Sequence, residues 1–122
     1  MERDPLELTR IVLDGETVTR EACFCLIDGS RLLVRDRWRS GALVEYSYSW
    51  RDASGKLIMA WDNAHEVEVA TAPHHKHLGE NGSVVESWET DLISVLNVVR
   101  SRVLLRSGPR EPVGACLRAV EC

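Results

Sequence analysis

The sequence predicts a two-layer α+β fold, an antiparallel β meander of about five strands covered by one C-terminal helix. Three observations carry that expectation. Apolar and polar residues alternate with period two through residues 43–51, as a half-buried strand requires. Turn-forming pairs punctuate the first half: Asp14-Gly15, Asp28-Gly29, Ser40-Gly41 and the run Asp52-Ala53-Ser54-Gly55. After Ser87 the apolar spacing changes to three and four, the period of a helix with one buried stripe.

Taken in order, Leu6 to Leu13 reads as a first strand or edge segment, and Val18 to Ile27 as a second. Arg31 to Trp38 is the third. There Leu32, Val34 and Trp38 share one face, while Arg31, Arg35 and Arg37 share the other with Leu33. In the fourth, Val44, Tyr46, Tyr48 and Trp50 point one way, and Glu45, Ser47 and Ser49 the other. Lys56 to Trp61 returns as the fifth. Residues 62–82 read as irregular, interrupted by Asp62-Asn63, Pro73 and Gly79, with room for a short strand over Glu66–Val69. The helix is expected from Ser87, with Trp88, Leu92, Val95, Leu96, Val99 and Val103 along its stripe. Ser87 or Thr90 would cap it, Glu89 and Asp91 suit the positive end of its dipole, and Ser107-Gly108-Pro109 stops it. Trp88 is expected to bury against the aromatic residues of the sheet. One domain over residues 1–106 and a mobile tail over 107–122 complete the reading.

With 122 residues, 44% of them hydrophobic and 28% charged, the chain suits one domain able to bury a core unaided. No apolar run approaches the roughly 18 residues of a membrane span. The polar start Met1–Pro5 is unlike a signal peptide, so a cytoplasmic protein with no membrane association is expected. Cys23 and Cys25 are too close together for a zinc knuckle and are expected as reduced packing cysteines. Cys116 and Cys122 are expected as free thiols in the tail. The net charge of −4 is uneven: residues 1–30 carry −4, residues 31–60 carry +3, and residues 61–122 carry −3. An acidic protein is not a general coat for nucleic acid, but its basic middle third is a candidate surface for anions.

All four histidines fall within thirteen positions: His65, then His74, His75 and His77 in Pro73-His74-His75-Lys76-His77. In an extended segment His75 and His77 project to one side, His74 and Lys76 to the other. Three readings stand open. His75 and His77 with Asp62 form a set able to bind metal. Alternatively, His74, His75, His77 and Asp62 act as catalytic residues on RNA without any cofactor, one imidazole taking the 2′-hydroxyl proton while cations steady the phosphorane. In the third reading the histidines are structural, bonded to backbone or to Asp62. Substrate contacts fall to Asn63, Lys76, Arg31, Arg35 and Arg37, since guanidinium forks suit phosphate; a solvated sheet face explains the arginines as well. Tyr46, Tyr48 and Trp50 have the spacing of a base-stacking stripe, but core packing is the reading adopted for them.

Four blocks occur in order: Tyr46-Ser47-Tyr48-Ser49-Trp50-Arg51-Asp52, Gly55-Lys56-Leu57-Ile58, Trp61-Asp62-Asn63-Ala64 and Pro73-His74-His75-Lys76-His77. As an ordered set they resemble the TumE family, toxins of toxin–antitoxin systems. The likeness in layout spans about residues 9–103. It implies a bacterial or archaeal protein with a cognate antitoxin, a DNA-binding partner that sequesters it. It also implies that Asp62, Asn63, Pro73, His74, His75 and His77 line the functional site. One departure stands out. The family pattern runs from Asp-Asn-Ala into Pro-His-His-Pro, whereas this chain reads Ala64-His65-Glu66-Val67, keeping only His65 of that first cluster.

The leading expectation is therefore a toxin that cleaves RNA. The alternatives are a non-catalytic interaction module or inactive toxin-like protein, and a metal-dependent hydrolase. Pairing of exposed edge strands would make a homodimer.

Overall fold

The computed structural model describes residues 9–107. It contains seven strands: β1 (Arg10–Asp14), β2 (Thr17–Cys25), β3 (Arg31–Arg39), β4 (Ala42–Arg51), β5 (Leu57–Asp62), β6 (His75–Leu78) and β7 (Val84–Glu86). One helix, α1 (Leu92–Ser107), follows. The strands lie side by side in sequence order, every neighbouring pair antiparallel. The α+β architecture is as expected, but the sheet has seven strands rather than about five. Of the two additional strands, β6 comes from the segment read as irregular and β7 lies just beyond it, before the expected start of the helix. β6 has four residues, three of them His or Lys, and β7 has three; neither is long enough to display a period. Glu66–Val69 forms no strand.

Period-two alternation decides the layering. Leu32, Val34, Tyr46, Tyr48, Trp50, Met59 and Trp61 are buried on one face. The register confirms their common side, pairing Leu32 with Trp50, Val34 with Tyr48, and Tyr48 with Trp61. Helix α1 covers this face with Val95, Val99 and Val103, four residues apart and at most 2% exposed. The sheet aromatics are thus core residues, unavailable for stacking on bases. Val44 shares their parity but is 44% exposed, near the start of β4. The hairpin after β2 closes through a three-residue loop, Leu26 bonding across to Ser30, with Gly29 at φ 87°. That left-handed angle is the reason glycine stands there.

The helix begins later than the apolar spacing suggests. Ser94 donates its backbone N–H to Asp91 Oδ1 at 2.9 Å, so Asp91 is the cap, rather than Ser87 or Thr90. In return Ser94 Oγ accepts the backbone N–H of Thr90 at 3.1 Å. Residues 87–90 are held outside the helix by other partners. The Ser87 N–H bonds Thr71 Oγ1 at 2.9 Å, and Glu89 Oε1 accepts from both Trp61 Nε1 and Lys76 Nζ. Trp88, between them, turns outward and is 74% exposed, which overturns its expected place at the helix–sheet contact. The hydrogen bonds from Ser94 hold the Asp91 carboxyl below its ordinary range. Replacing Asp91 with Ala should cost about 1 kcal/mol in thermal or urea unfolding. Because the folded carboxyl titrates low, this contribution is present above its unfolded pKa and fades as pH falls through the lowered value. An Asp91→Ala penalty that stays constant from neutral pH to pH 3 would contradict the assignment.

Cys25 is disulfide-bonded, which corrects the expectation of two reduced cysteines; Cys23 is a thiol whose burial pushes its pKa up. Ser107, the first residue of the expected tail, still belongs to α1; residues 108–122 with Cys116 and Cys122 lie outside the described residues. Among the described residues no helix is long and apolar enough to cross a membrane.

Candidate functional site on the open sheet face

The face turned away from α1 carries polar residues in register. One row crosses all seven strands: Arg10, Glu21, Arg35, Ser47, Asp62, His75 and Glu86. The next row brings His77 opposite Ala60. Asp62 ends β5, and the chain returns as β6 after a twelve-residue connection, so His75 lands directly across from it. His77, two residues on, must share that face.

These side chains converge on one carboxylate. His75 Nε2 lies 3.0 Å from Asp62 Oδ1, and His77 Nε2 lies 3.2 Å from Asp62 Oδ2. His65, from the connection, places Nδ1 3.4 Å from Oδ1. The backbone N–H of Ala64 also donates to Oδ1, at 3.1 Å, and fixes the carboxylate in place. The His75 and His77 rings meet edge to face, centroids 5.0 Å apart. Burial differs sharply between them: the His75 side chain is 0% exposed and that of His77 35%. Of these two, His77 is the imidazole open to solvent, beside the still more exposed His65.

The tautomers follow from the partners. His75 Nδ1 lies 2.9 Å from the carbonyl oxygen of Pro73, which can only accept, so Nδ1 carries the proton. Nε2 of a neutral His75 is then a bare lone pair. It is buried and without a hydrogen bond despite its 3.0 Å distance from Asp62 Oδ1.

The other expected site residues separate into three groups. His74 is on the helix-side face, its Nδ1 2.8 Å from the Tyr46 hydroxyl and its ring stacked on Tyr46. Burial, then the carboxylates Asp62, Asp91 and Glu89, push that hydroxyl up to about 12. Lys76 also faces the helix side, paired with Glu89 at 3.2 Å. Asn63 extends the β4–β5 pairing: its Oδ1 accepts the Tyr46 N–H and its amide donates to the Val44 carbonyl. Arg31, Arg35 and Arg37 do lie on the open face with the cluster, all exposed. Arg37 pairs with Glu45 at 3.3 Å, and Arg35 touches Glu21 only at 4.0 Å. Ser47 separates Arg35 from Asp62 in the row, so the two lie two strand spacings apart, about 10 Å. A hollow of about 240 Å³ opens beside the arginines, lined by Thr19, Arg35, Arg37, Glu45, Ser47 and Ala64 among others; Asp62, His75 and His77 do not line it.

One residue goes unnoticed in the sequence, and a second has another role than the one expected. Asp36, 1% exposed on the core face, takes hydrogen bonds from Arg20, Trp38 and Tyr48. Its signal was an aspartate at the parity of Leu32 and Val34, with Arg20 at apolar parity in the strand before. Glu89 was read as a dipole partner and instead joins Trp61 to Lys76.

A family model described as toxin TumE matches residues 3–103. No match was found among curated proteins or among solved structures.

Proposed function

The chain belongs to the TumE family of toxins, and from that premise we propose that it cleaves RNA as the toxin of a toxin–antitoxin pair. The reacting centre is Asp62 with His75 and His77. The observation that carries this reading is the convergence of both imidazoles on one carboxylate, on the same open face as Arg35 and Arg37. His77 meets the substrate, since an imidazole exchanges protons readily near neutral pH. Asp62 orients it, and the enclosed His75 positions Asp62. Arg35 and Arg37, which line the hollow on the same face, bind phosphate through their guanidinium forks. The antitoxin, a DNA-binding protein, silences the toxin by covering this face.

Controlled expression of the chain without its antitoxin tests the reading, with growth and bulk RNA followed together. Wild type is expected to arrest growth with RNA decay. His77→Ala should lower cleavage by a factor on the order of 100 or more, the usual weight of a general acid or base, with little change in melting. Undiminished arrest from a folded His77→Ala protein removes His77 from the reaction. Arrest with intact RNA removes RNA as the target.

A further inference from the structure

We propose that Asp62, His75 and His77 bind a divalent transition-metal ion, Zn²⁺ fitting best. The proposal deepens the reading of this cluster as the reacting centre by making His77 a ligand, so that a metal-bound water takes over the proton exchange given above to its imidazole, and it rests on the geometry of the cluster alone. One ligand atom from each residue lies within 4.8 Å of the others, in a set two-thirds buried. Two imidazoles and a carboxylate are the donors that Zn²⁺ and its neighbours in the first transition row take.

His75 supplies the independent observation. Its Nδ1–H is committed to Pro73 O at 2.9 Å, which fixes the tautomer and leaves Nε2 as a lone pair. Metal-binding histidines characteristically donate their second ring nitrogen to a carbonyl or carboxylate in this way. Nε2 has no hydrogen bond, is fully enclosed, and stands 3.0 Å from a carboxylate oxygen. Two lone pairs at that distance repel each other, and a buried unpaired acceptor is costly. A doubly protonated His75 would remove the repulsion by directing Nε2–H at Oδ1, but the alignment needed for that bond is missing. An ion between them resolves both difficulties. Ligand atoms about 2.0–2.2 Å from a tetrahedral zinc stand roughly 3.3 to 3.6 Å apart, a little more than the 3.0 Å from His75 to Asp62 Oδ1 and the 3.2 Å from His77 to Oδ2, so a small outward movement of the side chains seats the ion. His65, with Nδ1 at 3.4 Å from Oδ1 and its side chain 74% exposed, is a further donor at the rim. Three protein ligands leave a coordination position for water or a phosphate oxygen, the arrangement of catalytic rather than structural zinc.

The test titrates metal-free, tag-free full-length protein with Zn²⁺ and separately with Mg²⁺, by calorimetry and by melting temperature. One Zn²⁺ per chain and a raised melting temperature are expected; Mg²⁺, which prefers oxygen ligands throughout, should do neither. Asp62→Asn and His77→Ala should each weaken Zn²⁺ binding by at least about 100-fold, more than the loss of an outer-shell partner. His74→Ala, on the opposite face, should leave it unchanged. Should either site variant fail to fold, Co²⁺ added to wild type gives the answer, because the ring protons of His75 and His77 must then show paramagnetic shifts. Absence of saturable Zn²⁺ binding by the folded protein overturns the proposal. So does binding retained in both site variants, or Co²⁺ that leaves both rings unshifted. None of these readouts depends on growth arrest, so a metal site in a protein that spares RNA, or RNA decay without a metal site, would be told apart.

Discussion

Asp36→Ala should lower the stability of the fold by about 3 kcal/mol, the low end of the cost of breaking a buried charge pair. Asp36 is 1% exposed on a face otherwise filled by Leu32, Val34, Tyr48 and Trp50. It survives there because its oxygens are fully employed. Arg20 grips both in a two-pronged contact, Nε on Oδ1 at 3.0 Å and a terminal nitrogen on Oδ2. Trp38 Nε1 adds a bond to Oδ1 and the Tyr48 hydroxyl one to Oδ2, each at 3.2 Å. Burial, and then Asp36 beside it, push the Tyr48 hydroxyl far above the ordinary phenol range, so it stays a donor. Truncation to alanine strips the partner from four donor groups on three residues at once and leaves the guanidinium beside a cavity. The low end applies because the Arg20 side chain is 32% exposed and can turn toward water. For a domain of this size the loss should appear as a melting temperature lower by roughly 10 °C or more. Asp36→Asn, which keeps shape and one acceptor, should lose less. A melting curve that Asp36→Ala leaves in place would mean the network contributes nothing net. Arg35 and Arg37 flank Asp36 on β3 and point to the opposite face of the sheet.

β3 and β4 were legible because their alternation and their turn residues agree, and β1, β2 and β5 mainly because turn residues bound them. Both signals are local, and both survive in a single sequence. The helix was legible for the same reason over Leu92, Val95, Leu96, Val99 and Val103, each of which is at least partly buried. Trp88 fits the same spacing and was misread with them. Periodicity counts residues; it does not see that Ser87 and Glu89 are engaged outside the helix by Thr71, Trp61 and Lys76. The histidines show the boundary more clearly. That His75 and His77 share a side follows from the pleat alone. That they meet Asp62 depends on a connection without internal period, since a shift of one residue in β5–β6 pairing would have turned His74 and Lys76 toward the carboxylate instead. The arginine row was legible as a face, and its place beside the cluster came only with the strand order.

What holds that β5–β6 register leads to the second large effect. Gly79→Ala should detach β6 from β5 and dismantle the candidate site while leaving most of the sheet folded. Gly79 follows β6 directly, and its N–H bonds the Ile58 carbonyl at 3.0 Å. A Cβ at this position would lie 1.8 Å from the Leu57 carbonyl oxygen and 2.6 Å from its carbon. Both are backbone atoms of a paired strand, so no rotamer change relieves the overlap, and β5 and the turn after β6 must move apart. Added atoms in a packed place cost about 1–3 kcal/mol when side chains can adjust; here the cost belongs at or above the top of that range. The strain falls where the sheet is weakest, next to a four-residue strand whose outer neighbour has only three. Separation there breaks the pairs Met59–Leu78, Ala60–His77 and Asp62–His75, and with the last of these the convergence on the carboxylate. Amide hydrogen exchange should therefore show lost protection in β5 to β7, while β2 to β4, buried against the helix, keep theirs. Zinc binding and growth arrest should fall together in this variant, although no ligand has been touched. Unchanged exchange across β5–β6 in Gly79→Ala would show that the close approach at Leu57 is not what fixes the register.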